Sequence, residues 1–167
     1  SPSNAPMPNS SPSLKIENKL RPTGVCYTIG RLDHALSRRM LEVLAPIGLT
    51  VSQYTALSFL DSQAQISNAQ LAERTLISPQ SANEMVKQMN EKGWVEREPD
   101  PFHGRVVRLS VTVAGKALLQ QAHAAVARLE SEMLSSLSAA QRKSFQGNLR
   151  NVLHALGTLK IALGQAE

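Results

Sequence analysis

Three times in this chain a hydroxyl residue stands three positions ahead of a glutamine, at the head of a run of periodic apolar residues: Thr50 with Gln53, Ser67 with Gln70, and Ser138 with Gln141. In that spacing the hydroxyl accepts one of the four N–H groups that a helix leaves unpaired at its start, and the glutamine reaches back to the capping residue's own N–H. The pairs mark three helix starts without any appeal to propensity. Ser78-Pro79 marks a fourth, because Ser is a good N-cap and proline lacks the N–H that would be orphaned in a first turn. Gly93 closes that helix at about Lys92, and Pro46 with Gly48 closes an earlier one running from about Gly24 to Ala45. Five or six helices follow. With 42% apolar but only 4% aromatic residues, their core has to be built from Leu, Val, Ile, Ala and Met.

The order between Ser67 and Thr112 is the informative part. A short helix carrying Leu71 and Ala72 leads through a turn at Leu76 and Ile77 into the helix opened by Ser78-Pro79. After Gly93 come Trp94-Val95-Glu96-Arg97, a turn over Pro99 to Gly104, and a second strand from Val106 to Thr112. In that strand Val107, Leu109 and Val111 alternate with Val106, Arg108 and Ser110, which gives one buried and one wet face. The expected fold is mainly α with a small β-hairpin wing: a winged helix-turn-helix with long terminal helices. The expected organisation is a flexible, partly vector-derived arm over 1–13, with Met7-Pro8 either a native start or internal to a longer chain, then a helical dimerisation region over 14–48 and 112–167. The winged lobe occupies 49–111. Leu14, Ile16 and Leu20 suit an interaction arm. Val25, Ile29, Leu32, Leu36, Met40 and Val43 form one stripe of the first helix, and Phe145, Leu149, Val152, Leu156, Leu159 and Leu163 form a near-heptad seam in the last. So small a domain has little left to cover that seam, which points to a homodimer.

Several classes of function are excluded or disfavoured. No apolar run approaches the roughly 18 residues needed to span a bilayer, so no membrane partner and a cytoplasmic location are expected. Cys26 is the only cysteine, so an internal disulfide is impossible. His34, His103, His123 and His154 are scattered, and neither a metal nor another cofactor is expected. No nucleophile elbow, phosphate-cradling glycine loop or paired-carboxylate signature is present, so no enzyme is expected. The formal charge of +5 suits a polyanionic partner without identifying one.

On a helical wheel of 78–92, Ala82, Met85, Val86 and Met89 share the inner face, while Gln80, Glu84, Lys87 and Glu91 lie opposite, flanked by Ser81 and Asn83. Ser, Gln and Asn at a helix N-terminus present donors and acceptors to base edges, and the N-terminus itself favours a phosphate. The DNA-contact candidates are therefore Ser67, Ser78, Gln80, Ser81, Asn83 and Lys87, with Arg74 and Arg97 on phosphates and Arg105 at the wing tip in a minor groove or on the backbone. From Glu73 to Arg108 six basic residues face six acidic ones. That balance leaves open a different class of function, a winged lobe used as a protein-docking module.

Together, Gly48-Leu-Thr-Val-Ser-Gln-Tyr54, Leu71-Ala-Glu through Ser78-Pro-Gln-Ser, Gly93-Trp-Val-Glu-Arg97, Asp100-Pro-Phe-His-Gly-Arg105 and Leu109-Ser-Val-Thr-Val-Ala-Gly115-Lys resemble the MarR family of bacterial regulators over about Arg21 to Leu163. The resemblance implies a winged-helix homodimer that binds a pseudo-palindromic operator in double-stranded DNA and usually represses. Where many members carry Asp two residues before the wing Arg, this chain has His103. The resemblance also implies a small aromatic acid as effector, here a phenolic or heteroaromatic carboxylate.

Tyr27, Arg31, His34 and Arg38 lie on one narrow arc of the first helix and suit an anion. Arg39 points into the apolar sector, where it needs either a bound anion or an acid on a neighbouring helix. These five are the ligand-binding candidates, with a solvated basic face as the alternative. Cys26 is placed much as the cysteine of the family's peroxide-sensing branch, relative to Gln53-Tyr54, which implies a thiol-based oxidant switch as a further alternative.

Overall fold

A computed structural model describes residues 23–63, 66–99 and 107–157. The arm over 1–13, the segment Leu14 to Leu20, and the wing tip with His103 and Arg105 lie outside the described residues. The chain divides into two units, one ending at Arg38 and one beginning at Arg39. In the first unit, the start of helix α1 (Val25–Leu44) has its apolar stripe largely in the open: Val25 is 74%, Ile29 45% and Leu32 40% exposed.

The second unit carries the rest of the fold. From the end of α1, a 3-10 turn (Ala45–Ile47) leads to Gly48 at φ 87°, and the buried Leu44 and Leu49 flank this turn. The helices that follow are α2 (Val51–Ser62), α3 (Asn68–Thr75) and α4 (Pro79–Glu91). Thr50, Ser67 and Ser138 each close the reciprocal cap expected of them, the side chain accepting from the glutamine's N–H and the glutamine side chain accepting from the cap's N–H. Ser78 caps α4 by accepting from the Ser81 N–H at 3.1 Å. α3 packs on α2 and α4, and Leu57, Leu60, Leu71, Val86 and Met89 meet in one core. Burying each such side chain is worth about 1.5–3 kcal/mol relative to leaving it in water.

Between α3 and α4 the chain turns on a residue unusual for the job. Leu76 sits at φ 59° and is 86% exposed. A left-handed conformation costs a residue with a Cβ about 1–2 kcal/mol. It is held by its N–H, which donates to the Ala72 and Glu73 carbonyls, while the buried Thr75 hydroxyl donates to Leu71 O at 2.7 Å.

Strands β1 (Val95–Pro99) and β2 (Val107–Val111) pair antiparallel, with Arg97 opposite Leu109 and Glu98 opposite Arg108. Val95 and Leu109 are buried in the core with α4. The hairpin's open end is fastened at one point. Thr112 N–H donates to Trp94 O at 3.0 Å, the Thr112 hydroxyl donates to Gly93 O, and the same hydroxyl accepts from Gly115 N–H at 3.0 Å to cap α5 (Val113–Met133). Gly93 takes φ 77° to make this possible.

α6 (Ala139–Ala155) closes the described chain, capped by Leu156 ahead of Gly157 at φ 78°. Within the described residues the seam is helical as far as Ala155, and Leu159 and Leu163 lie outside the described residues. No residue of α6 is buried, and Leu149, Val152 and Leu153 are all more than two-fifths exposed.

Gly115 sets a sharp test of the hairpin fastening. A Cβ there would collide with the Trp94 carbonyl and stand 2.8 Å from a Val111 methyl. Gly115→Ala is expected to lower stability by about 1–3 kcal/mol, as overpacking does, read as a lower urea midpoint at unchanged m-value. An unchanged midpoint would show that this junction yields freely.

Candidate nucleic-acid interface

α4 buries Ala82, Met85, Val86 and Met89 and leaves Gln80, Ser81, Asn83, Glu84 and Lys87 exposed. Its outer face forms one wall of an open cavity of about 390 Å³ lined also by Asn68, Arg97 and Leu109. The register explains the second wall. Arg97 and Leu109 are cross-strand partners on the hairpin face toward α4, so Leu109 lies buried while Arg97 projects beside the helix. Four of the expected contact residues, Gln80, Asn83, Lys87 and Arg97, are brought together here, although Arg97 comes from a different element and lies 10 positions beyond Lys87.

Other candidates are placed differently. Ser67 is half-buried and spends its oxygen on the Gln70 N–H, so it is a cap and does not project. Ser78 is exposed, but its hydroxyl donates to the Ser81 hydroxyl at 2.9 Å while capping α4. Arg74 stands 5.4 Å from the centre of the Phe59 ring, a cation–π contact that fixes the guanidinium at the end of α3. Asn68, the first residue of α3, was not singled out by the sequence. Its amide donates to the Asn83 side-chain oxygen and so orients Asn83, 15 positions away, a pairing that no local pattern announces.

Lys87 and Arg97 form no ion pair among the described residues; both ion pairs found there belong to Arg39. The expectation that Arg39 enters the apolar sector is corrected. It is about half exposed and is gripped by Glu42 at 2.8 Å and by Glu132 of α5 at 3.2 Å. The hydrogen bond it donates to Glu42 and the charge of Glu132 favour its protonated guanidinium. The paired-acid reading of Arg39 is the one realised, and its charge is already taken up. Tyr27, Arg31, His34 and Arg38 share an exposed arc of α1, as spacing required. Cys26 is a free, exposed thiol.

A second polar link joins α2 to α5. The Tyr54 hydroxyl and His123 Nδ1 lie 2.8 Å apart, with the rings edge to face at 5.4 Å. Burial, with the Glu130 carboxylate adding to it, pushes the Tyr54 phenol above its ordinary value.

The family model of the MarR family matches residues 47–106, from the turn after α1 into the hairpin loop. Among relatives, the chain is 28% identical over 126 residues to the HTH-type transcriptional repressor Rv2887 of Mycobacterium tuberculosis, covering 75% of this chain and 91% of that one. It is 28% identical over 130 residues to the multiple antibiotic resistance protein MarR of Escherichia coli, covering 75% and 90%. The fold superposes on Rv2887 crystallised with salicylic acid at TM-score 0.66 and 27% identity, over 78% of this chain and 96% of that one. It superposes on Rv2887 crystallised with DNA at TM-score 0.66 and 25% identity, over 78% and 98%.

The Tyr54 environment predicts an alkaline limb. A phenol harder to ionise in the folded than in the unfolded state contributes stability that is intact below the unfolded value of about 10 and is lost as pH rises through the folded value. Urea unfolding from about pH 9 to about pH 11 is expected to show a steeper decline for the parent than for Tyr54→Phe, which has no proton to lose. Equal slopes would show that this phenol is not linked to folding.

Proposed function

From the premise that the chain is a MarR-family winged helix-turn-helix transcriptional regulator, and a repressor as the similar Rv2887 is, we propose that it acts as a homodimer on a pseudo-palindromic operator and releases it on binding a small aromatic carboxylate. The observation that carries the DNA-reading part is the outer face of α4. Gln80 and Asn83 offer amides suited to adenine, Lys87 suits guanine, and Arg97 on β1 stands beside them to take a phosphate. In this reading 49–111 is the DNA-binding lobe, with Ser81 and Arg74 supporting it and Arg105 reaching the minor groove from the wing. The regions 14–48 and 112–167 form the dimer body. The support for a dimer is the unburied α6 and the open stripe of α1, because apolar faces of that extent need a partner. Two-fold symmetry in the protein then asks for matching half-sites in the DNA.

The effector reading draws on Rv2887, which was crystallised with salicylic acid. On this chain the cations available to a carboxylate are Arg31 and Arg38, with Tyr27 and His34 on the same exposed arc of α1 for the ring and its hydroxyl. Arg39 is set aside, because Glu42 and Glu132 hold it. A ligand can release DNA only by binding more tightly to a form that does not fit the operator.

The test is fluorescence anisotropy on duplex from the gene's own upstream region against scrambled duplex, over a salt series and with salicylate added. Lys87→Ala is expected to weaken specific binding by about 1–3 kcal/mol, and Arg97→Ala to weaken binding to all sequences while shallowing the salt slope by about 1. Parent-like affinity in both variants would remove these assignments. Salicylate is expected to release the parent but not Arg31→Ala/Arg38→Ala, and equal release from both would clear α1 of a role. Salt-insensitive capture of a protein, with no DNA affinity, would favour the docking module.

Sedimentation tests the dimer separately. Leu153→Asp on α6 is expected to shift the parent dimer toward monomer, since a carboxylate would then be buried without a partner. A parent that sediments as a monomer would overturn the dimer.

A further inference from the structure

Among the described residues, Glu84 is the one carboxylate that lines the cavity beside the outer face of α4. On a surface that must approach phosphates a carboxylate is repelled, so its presence asks for a reason. Local structure supplies none. α4 begins at Pro79 with Ser78 as its cap, which puts Glu84 in the second turn, beyond the capping position and beyond the reach of the helix's positive end. Neutralisation supplies none either, because Lys87 and Arg97 line the same cavity and Glu84 pairs with neither; among the described residues both ion pairs lie at Arg39. The carboxylate is exposed and aligned with Gln80 one turn before it and Lys87 just under one turn after it.

We propose that Glu84 reads DNA sequence, its carboxylate accepting a hydrogen bond from the exocyclic amine of a cytosine in the major groove, so that one C·G pair in each half-site is selected through it. This rests on the DNA-binding reading of α4. The base follows from the chemistry of the groove. Guanine presents only acceptors there, thymine an acceptor and a methyl group, and both repel or reject a carboxylate. Adenine presents a donor beside the N7 acceptor, which faces the second carboxylate oxygen unfavourably. Cytosine presents a donor alone. Lys87 lies about 4.5 Å further along the helix axis, comparable with the rise of about 3.4 Å per base pair along the DNA axis. A guanine under Lys87 is therefore expected on an adjoining step. The carboxylate thus penalises wrong bases and non-specific DNA alike, which is how a charge that lowers total affinity raises discrimination.

The experiment selects binding sites from random-sequence duplex pools with the full-length parent, Glu84→Ala and Glu84→Gln. Anisotropy titrations then follow on the parent-selected duplex and on its single-base-pair replacements. Replacing the selected C·G pair is expected to cost the parent about 10- to 100-fold. Glu84→Ala is expected to bind all four versions of that pair within about 3-fold, to keep its preferences elsewhere, and to bind scrambled DNA more tightly than the parent. Glu84→Gln is expected to shift the preferred base from cytosine toward adenine, whose edge an amide matches twice. If Glu84→Ala keeps the parent's preference at every position and merely binds all DNA more tightly, Glu84 is a repulsive charge and the inference is wrong while the DNA-binding reading stands. A parent that enriches no sequence overturns the DNA-binding reading and this inference with it.

Discussion

The Thr112 hydroxyl is the constraint on which the arrangement of the winged lobe depends. It donates to the Gly93 carbonyl and accepts from the Gly115 N–H, while the Thr112 N–H donates to Trp94 O. One residue thus joins the end of α4, both ends of the hairpin and the start of α5. A two-stranded hairpin is marginal in water on its own, and here it is held by this fastening and by the burial of Val95 and Leu109 beneath α4. Gly93 and Gly115 are required by geometry, the first for its positive φ and the second because the Trp94 carbonyl occupies the space of a Cβ.

That fastening also places the chemistry. Because Arg97 faces Leu109 across the ladder, burying Leu109 against α4 swings the Arg97 guanidinium alongside Lys87 and Asn83. The interface is thus assembled from a helix face and a strand position whose relation is set by hairpin register, and a one-residue slip would turn Arg97 to the far face. The cations around this interface are engaged unequally. Arg39, Glu42 and Glu132 satisfy one another between the end of α1 and α5, and Lys92 lies over the Trp94 ring at 4.7 Å. Lys87 and Arg97 are left facing the cavity.

Much of the fold was legible because its signals are local. Each capping box closes within three residues, Ser78-Pro79 opens α4 by chain geometry alone, and Gly93 ends it where a left-handed residue is needed. The turn between α3 and α4 was legible as a turn, but not that Leu76 would hold a left-handed conformation. The bonds that the Leu76 N–H donates to the Ala72 and Glu73 carbonyls, and the packing of α3 on α4, impose what propensity would refuse. Of the proposed interface, the face of α4 was legible from helical periodicity. Three side-chain links spanning many positions were not: Asn68 on Asn83, Tyr54 on His123, and Glu132 on Arg39. Each joins two elements whose juxtaposition exists only after the core has formed.

The sequence by itself determined where α2, α3, α4 and α6 begin, which face of α4 is polar, and that an apolar excess remains on α1 and α6. Those follow from hydrogen bonds and periodicities that act within a few residues of their origin. Only the tertiary structure decided that Arg39 is paired with acids on α1 and α5. It also decided that Arg97 stands beside Lys87 and that Glu84 is left without a cationic partner among the described residues. Those outcomes turn on which side chains the core brings within hydrogen-bonding distance, and a contact between residues far apart in the chain has no local pattern to announce it.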